Sequence, residues 1–353
     1  MNTTTNQPAG LPVHETLHET GREPVHQPTM KAAVHTRYGA PQVIRVQQAP
    51  RPTPAPDEAL IRVHTSTVNR TDCGMRSAKP FITRFFAGLR RPKHQVLGSE
   101  VAGVIEAVGS AVTEFAVGDR VFGVNAVDYG SNAEYICMRQ AAPLATMPAN
   151  VTFQQAAAAT DGAVLAMTYL RRVRLDDSHR ILVYGASGAI GSAGVQLAKH
   201  YGAHVTAVCD TRTLPAVQAL NPDVLIDRNA HDFTTNGETY DFVFDAVGKL
   251  SFRRCRRSLT PGGAYLVTDL GFLWQNPWLA LFTSRLTRRR KVLFPLPAYT
   301  KEKVQFIRQL LASGELRPVI DRSYPLDDIV AATEYVETQQ KIGNVVIEVQ
   351  GEQ

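Results

Sequence analysis

A chain of 353 residues is longer than the roughly 250 at which a single hydrophobic core stops growing, so it reads as two domains. Its 44% hydrophobic and 20% charged residues, with 25 glycines, exclude the fibrous and disordered classes. The net charge of +6 suits an anionic ligand, but the basic clusters at Arg253, Arg254, Arg256, Arg257 and at Arg288, Arg289, Arg290, Lys291 are not interleaved with aromatics as nucleic-acid motifs are. They read as solvated faces, and no nucleic-acid partner is expected.

Residues 1–29 are polar, carry His14, His18 and His26, and lack the apolar stretch that a secretory signal needs; they read as a disordered extension, with Met30 as an alternative start. From there to about residue 150, short β-rich runs at 59–64, 101–108 and 120–124 alternate with Pro and Gly turns and predict a compact, mostly β domain. The proline-dense stretch 50–56 reads as an extended connector. The four cysteines, Cys73, Cys137, Cys209 and Cys255, lack CxxC spacing, which argues against a disulfide framework or a structural zinc site and points to a reducing cytoplasm.

From residue 152 the pattern changes. An alanine-rich helix is predicted over 154–172, followed by strands at 181–184, 204–209, 224–226, 242–245 and 264–268 separated by helical sequence, the signature of a parallel α/β sheet. The apolar stretch 270–296 is interrupted by Asn276, Pro277 and Arg285, which is too broken for a membrane span, and predicts a buried helix followed by a strand at 291–294. Beyond it come a helix carrying Val304, Ile307, Leu310 and Leu311, an extended piece at 318–323, a helix over 326–337 and a final strand at 345–349. A terminal strand needs a sheet, and the β-rich N-terminal region is its natural acceptor. The expected limits are therefore 30–152 and 296–353 for one domain, with 153–295 inserted into it.

The sharpest local feature is the apolar strand at 181–184 running through Gly185, Ala186, Ser187, Gly188, Ala189, Ile190 and Gly191 into the helix that carries Gln196, Leu197 and Ala198. Strand, glycine turn and helix together form a dinucleotide fingerprint: Gly188 lets the backbone approach a pyrophosphate, Gly191 permits close helix packing, and the helix N-terminus offers free N–H groups. At the end of the next strand, Cys209 occupies the position where an acid would select NAD. Arg212 and Arg228 stand nearby as candidate clamps for the 2′-phosphate of NADPH, with Asp210 either repelling that phosphate or orienting Arg212. NADPH is the expected cofactor, ahead of NADH.

The segments 68–72 (Val-Asn-Arg-Thr-Asp), 97–104 (Leu-Gly-Ser-Glu-Val-Ala-Gly-Val), 117–123 (Val-Gly-Asp-Arg-Val-Phe-Gly), 130–135 (Gly-Ser-Asn-Ala-Glu-Tyr), the glycine turn, 244–248 (Phe-Asp-Ala-Val-Gly) and 261–263 (Pro-Gly-Gly) occur in a telling order. From Met30 onward the chain resembles the medium-chain dehydrogenase/reductase superfamily, and segment 68–72 resembles most its quinone-reductase, zeta-crystallin-like branch. The resemblance implies an α/β fold in which a doubly wound Rossmann sheet is inserted into a GroES-like, mostly β catalytic domain, with the active site in the cleft between them. It also implies a homodimer joined at Rossmann-sheet edges, and cofactor contacts at the glycine turn, at 209–212, at Ala246 and Val247, and at Leu270 and Gly271. Lys341, beside the final strand, is a further candidate contact.

Where zinc-dependent relatives place their catalytic ligands, this chain offers Asn69, Ser99 with Glu100, and Asp161, a set too poor in His and Cys for catalytic zinc. No metal is expected. The implied chemistry is hydride transfer from NADPH to an acceptor that spreads negative charge itself, a quinone or an α,β-unsaturated carbonyl. Asn69 would bond the carbonyl or the nicotinamide. Asp72 would hold that loop by a turn bond or take part directly, and Asp161 would relay a proton or else cap its helix or complement its dipole. Tyr129 and Tyr135 read as packing residues that are also possible acids, and His94 as a surface residue. Two rival readings are a non-catalytic NADPH-binding protein and a zinc-free alcohol or aldehyde oxidoreductase.

Overall fold

The computed structural model describes residues 28–269, 275–286 and 290–350. The expected extension lies outside these residues but for its last two. Strands β1 (Thr29–Val34) and β2 (Arg45–Pro50) pair as an antiparallel ribbon, ending where the proline-dense connector begins. Strand β3 (Glu58–Val68) alternates small and β-branched apolar residues, with Ala59, Ile61 and Val63 facing one core, and leads into helix α1 (Arg70–Ser77) and the single turn α2 (Arg84–Ala87). Strands β4 (Glu100–Val108), β5 (Arg120–Val124), β6 (Tyr135–Arg139) and β7 (Leu144–Thr146) complete an antiparallel set around β3 and close over Val101, Ile105, Val121, Ile136 and Leu144.

The expected helix over 154–172 is broken into α3 (Phe153–Ala158) and α4 (Thr160–Leu170). The break has a cause outside the segment. Glu100 of β4 accepts hydrogen bonds from the Asp161 amide at 2.8 Å and from the Thr160 hydroxyl at 3.0 Å, supplying the partner that a new first turn needs.

The parallel sheet follows in the expected alternation: β8 (Arg180–Tyr184), α5 (Ala189–His200), β9 (His204–Cys209), α6 (Leu214–Gln218), β10 (Val224–Asp227), β11 (Tyr240–Asp245), α7 (Phe252–Cys255), β12 (Leu259–Val267), α8 (Gln275–Leu286) and β13 (Lys291–Leu293). Among the described residues its strand order is β10-β9-β8-β11-β12-β13, all parallel. The order reverses between β8 and β11, and the crevice outside the carboxyl ends of strands at such a switch point is where these sheets bind ligands. The expected buried helix near 280 is a correction: α8 exposes Trp278 (59%) and Phe282 (54%), because it covers the edge strand β13 on one side only. Among the described residues, no helix is long and apolar enough to cross a membrane.

Helix α9 (Lys301–Ser313) buries Val304, Ile307, Leu310 and Leu311 against α4 and β7. Strand β14 (Ile320–Pro325), helix α10 (Ile329–Glu337) and strand β15 (Asn344–Glu348) bring the chain back, and β15 pairs antiparallel with β3, Val345 opposite Val68. The last strand therefore joins the first domain's sheet, and the doubly wound sheet is inserted between that sheet's parts.

Candidate active site

Helix α1 starts with a reciprocal cap. The Asn69 side chain accepts from the Asp72 amide at 2.9 Å, and the Asp72 carboxylate accepts from the Asn69 amide at 3.0 Å. Asp72 also accepts from the Gly98 amide at 3.2 Å and is only 3% exposed, behind the loop rather than in the cleft. Burial raises its carboxyl to about 7, against the pull of those two amides. Asn69 Nδ2 donates to the Ser99 hydroxyl at 3.1 Å, and an amide nitrogen has a second hydrogen to offer.

Two carboxylates stand behind this loop. Glu100, 1% exposed, is clasped by the hydroxyls of Thr67 and Thr160 and by the Asp161 amide; burial moves its titration upward. Asp161 lies in the first turn of α4, where a carboxylate complements the helix dipole, but it is not the cap. Ala159 occupies the cap position, and the Asp161 carboxylate instead accepts from the hydroxyl of Tyr299 at 2.8 Å. Burial and the neighbouring Glu100 raise Asp161 to about 7. Tyr299 escaped the sequence reading because nothing local distinguishes it: it precedes α9 by two residues and meets Asp161 only in the folded chain.

On the opposite wall, the glycine turn leaves β8 and enters α5 with Gly188 at the cap position, and no side chain caps the helix. A Cβ at Gly191 would meet the Gly185 carbonyl oxygen at 2.1 Å, so glycine there is imposed by packing within the protein. At Gly188 the nearest atom to such a Cβ is 3.6 Å away, and the protein itself imposes nothing. That open cradle under free helix amides fits a pyrophosphate group. Ser187 is fixed from across the cleft: its carbonyl accepts from the Gly343 amide at 2.7 Å, and Gly188 and Gly343 form a parallel bridge. Ala246 and Val247 follow β11 in a loop organised by buried Asp245, which accepts from the amides of Val247, Gly248, Lys249 and Leu250 and from the Tyr265 hydroxyl.

The basic candidates divide. Asp210 pairs with Arg228 at 3.4 Å rather than with Arg212, which is a second correction; Arg212 donates to the Gln340 carbonyl at 2.8 Å. Lys341 is half-buried, donates to the Gly343 carbonyl, and is pushed below its ordinary value by burial although Glu100, Asp321 and Asp161 pull it back up. Tyr129 is buried with a positive φ of 56°, and its ring lies 5.6 Å from that of half-buried His94, which therefore has a packing partner. The Arg51 guanidinium lies over Tyr135 at 3.9 Å. Leu270 and Gly271 lie outside the described residues.

These parts meet in a cleft of about 160 Å³ lined by Asn69, Asp161, Gly188, Ala189, Ile190, Ala246, Val247 and Lys341 among the predicted residues. Arg70, Leu165, Lys249 and Gln339 line it as well and had not been singled out. The remaining turn residues and Arg212 and Arg228 lie outside its lining.

Residues 55–167 match the family model described as alcohol dehydrogenase GroES-like domain, and residues 220–347 match that of zinc-binding dehydrogenase. The NADPH-dependent alkenal/one oxidoreductase, chloroplastic, of Arabidopsis thaliana is 30% identical over 335 residues, covering 90% of this chain and 79% of that protein. The chain belongs to the medium-chain dehydrogenase/reductase superfamily, in its quinone-oxidoreductase branch. The 2-methylene-furan-3-one reductase of Solanum lycopersicum is likewise 30% identical to this dehydrogenase/reductase over 330 residues, covering 90% of it and 79% of the tomato protein. The quinone oxidoreductase of Coxiella burnetii has the same fold, with a TM-score of 0.81 at 24% identity over 92% of this chain and 100% of that one. The zinc in one family description is tested by the donor set. In this dehydrogenase/reductase Asn69 and Ser99 bond each other, Glu100 is filled by three donors, and Asp161 is engaged by Tyr299. No group of three His, Cys, Asp or Glu among the described residues forms a metal site, and this donor set does not fit zinc.

Proposed function

We propose that this protein is an NADPH-dependent, zinc-independent reductase of quinones and α,β-unsaturated carbonyls. The observation that carries the reading is the juxtaposition of the open Gly188 cradle with Asn69 and Asp161 across one cleft. Bound there, NADPH supplies a hydride from C4 of its nicotinamide. Gly188, Ala189 and Ile190 would receive the pyrophosphate at the start of α5; Gly185, Ala186, Ser187 and Gly191 shape that turn, and Ala246 and Val247 would flank the nicotinamide side. Arg212 and Arg228 would meet the 2′-phosphate, Arg212 being the one without an acidic partner among the described residues. The remaining hydrogen of Asn69 Nδ2 would hold the acceptor's oxygen, Asp72 would keep Asn69 in place, and Lys341 would counter charge in the wall. With a donor set that does not fit zinc, this reading favours acceptors that delocalise the incoming charge over simple carbonyls. The name of the Arabidopsis relative, which specifies NADPH and an alkenal or enone, and that of the tomato relative, which specifies a 2-methylene-furan-3-one, support the same substrate class.

The test is NADPH and NADH absorbance with 1,4-benzoquinone, 9,10-phenanthrenequinone and a simple enone, with and without chelator. Chelator-insensitive oxidation of NADPH is expected. Tight NADPH binding without any turnover would replace this reading with that of a non-catalytic binding protein, and alcohol-driven reduction of NADP with that of an alcohol dehydrogenase. Supporting readings are a homodimer joined at β13, the edge of the parallel sheet, and domain limits at residues 152 and 295, which limited proteolysis would report. A cytoplasmic location is supported by four free cysteines.

A further inference from the structure

Asp161 is held from both ends. Its amide is fixed to Glu100 Oε1 at 2.8 Å, and its Oδ1 accepts from the Tyr299 hydroxyl at 2.8 Å, across 138 residues of sequence. Oδ2 takes no hydrogen bond among the described residues, and Asp161 borders the cleft beside Asn69, Ile190 and Lys341. A carboxyl group with one oxygen anchored and the other unengaged at a substrate-sized cleft has the geometry of a proton donor.

We infer that Asp161, aimed by Tyr299, protonates the α-carbon of the reduced enone, and that Tyr299 is a positioning residue that fixes the face on which this occurs. The inference rests on the reductase reading above. The groups facing Asp161 are Glu100 from β4, Asp72 from α1, Tyr129 from the loop after β5, Tyr299 ahead of α9 and Lys341 ahead of β15. Burial and Glu100 raise the carboxyl to about 7, so a substantial fraction still carries its proton at neutral pH; Tyr299 and Lys341 pull the other way and stabilise the carboxylate left after transfer. Tyr299 itself is the poorer acid, since burial and Asp161 drive its hydroxyl far above the ordinary value and its proton is already spent on Oδ1.

The atoms balance without a further reactant. Once the β-carbon has received its hydride, the enolate's electron pair forms the new Cα–H bond with the Asp161 proton. The carboxyl O–H bond breaks, its electron pair stays on the carboxylate, and solvent returns the proton after product leaves.

The experiment is reduction of an enone bearing an α-methyl group by the whole protein with NADPH in D2O, with the product's α-centre resolved by chiral chromatography and NMR. Wild type should place deuterium on one face only, and its kcat should fall as pH rises through about 7. Tyr299→Phe removes a hydrogen bond that favours the carboxylate, so that fall should move up by about one pH unit while the product becomes a mixture of epimers. Asp161→Asn should give both epimers and lose the fall. NADPH fluorescence titration and thermal melting establish that both variants are folded. A single epimer from Asp161→Asn, or an unmoved profile in Tyr299→Phe, overturns the inference while the reductase reading stands. Failure of wild type to oxidise NADPH with any quinone or enone overturns both.

Discussion

Asp161 shows how much one side chain gives up for its position. Its folded value of about 7 lies well above that of an exposed aspartate, so the folded state holds the proton more tightly than the unfolded chain does. Below about pH 4 both states are protonated and nothing is lost; from about pH 4 to 7 the unfolded chain ionises first and stability falls, with the full loss present above pH 7. Asp161→Asn cannot ionise, yet its amide oxygen can still accept from Tyr299. The variant should therefore match wild type in stability at or below about pH 4 and exceed it at pH 8, by a margin on the order of 4 kcal/mol. Denaturant titrations at the two pH values check the sign. Cofactor choice turns on two other side chains. Arg212→Ala should raise the Kd for NADPH roughly 10-fold or more, the worth of a hydrogen bond to a charged group, and leave NADH nearly unchanged, whereas Arg228→Ala should have the smaller effect because Asp210 already shares that guanidinium. Isothermal titration with each cofactor separates the two. At this scale the sequence was legible where one residue type carries the chemistry, as with the absent cysteine and histidine ligands at Asn69 and Ser99. Tyr299 was illegible because its meaning lies in a partner 138 positions away.

Between the residue and the whole stand the turn and the strap. The apolar runs located β8 and β9 from sequence to within a residue, and the glycine turn placed a helix, α5, directly after β8, since both signals are local. The division of α3 from α4 was not local: it depends on Glu100, brought in by β4. Nor was the exposure of α8, since an apolar run looks the same whether it lies under a sheet or over its edge. In the strap from Lys341 to Asn344 only Lys341 was singled out from sequence, whereas it is Gly343 that bonds directly to the glycine turn. Gly343 has a φ of 64°, and a Cβ there would meet the Val319 carbonyl oxygen at 2.1 Å. Gly343→Ala should therefore shift the strap away from Ser187, cost about 1–3 kcal/mol of stability and weaken NADPH binding, as read by melting temperature and fluorescence titration.

For the molecule as a whole, the return of β15 to β3 makes the first domain depend on both ends of the described chain. Insertion was readable from sequence because a lone terminal strand must find a sheet. The quaternary arrangement is less direct. Strand β13 ends the parallel sheet with an unpaired edge among the described residues, and α8 beside it presents Trp278, Leu281 and Phe282 to solvent. A second copy joined there would cover both, so light scattering coupled to gel filtration should give about twice 38.7 kDa. A mass equal to one chain would leave this face without that role.

The bond between Gly343 and Ser187 has a mechanical meaning as well. It ties the floor of one wall of the cleft to the root of the other, so any parting of the walls should be smallest at that bond and grow with distance from it. On the reading proposed above, the pyrophosphate end of the cofactor would lie beside the bond and the acceptor farther out, so product departure ahead of cofactor is the expected order, which product-inhibition kinetics would check.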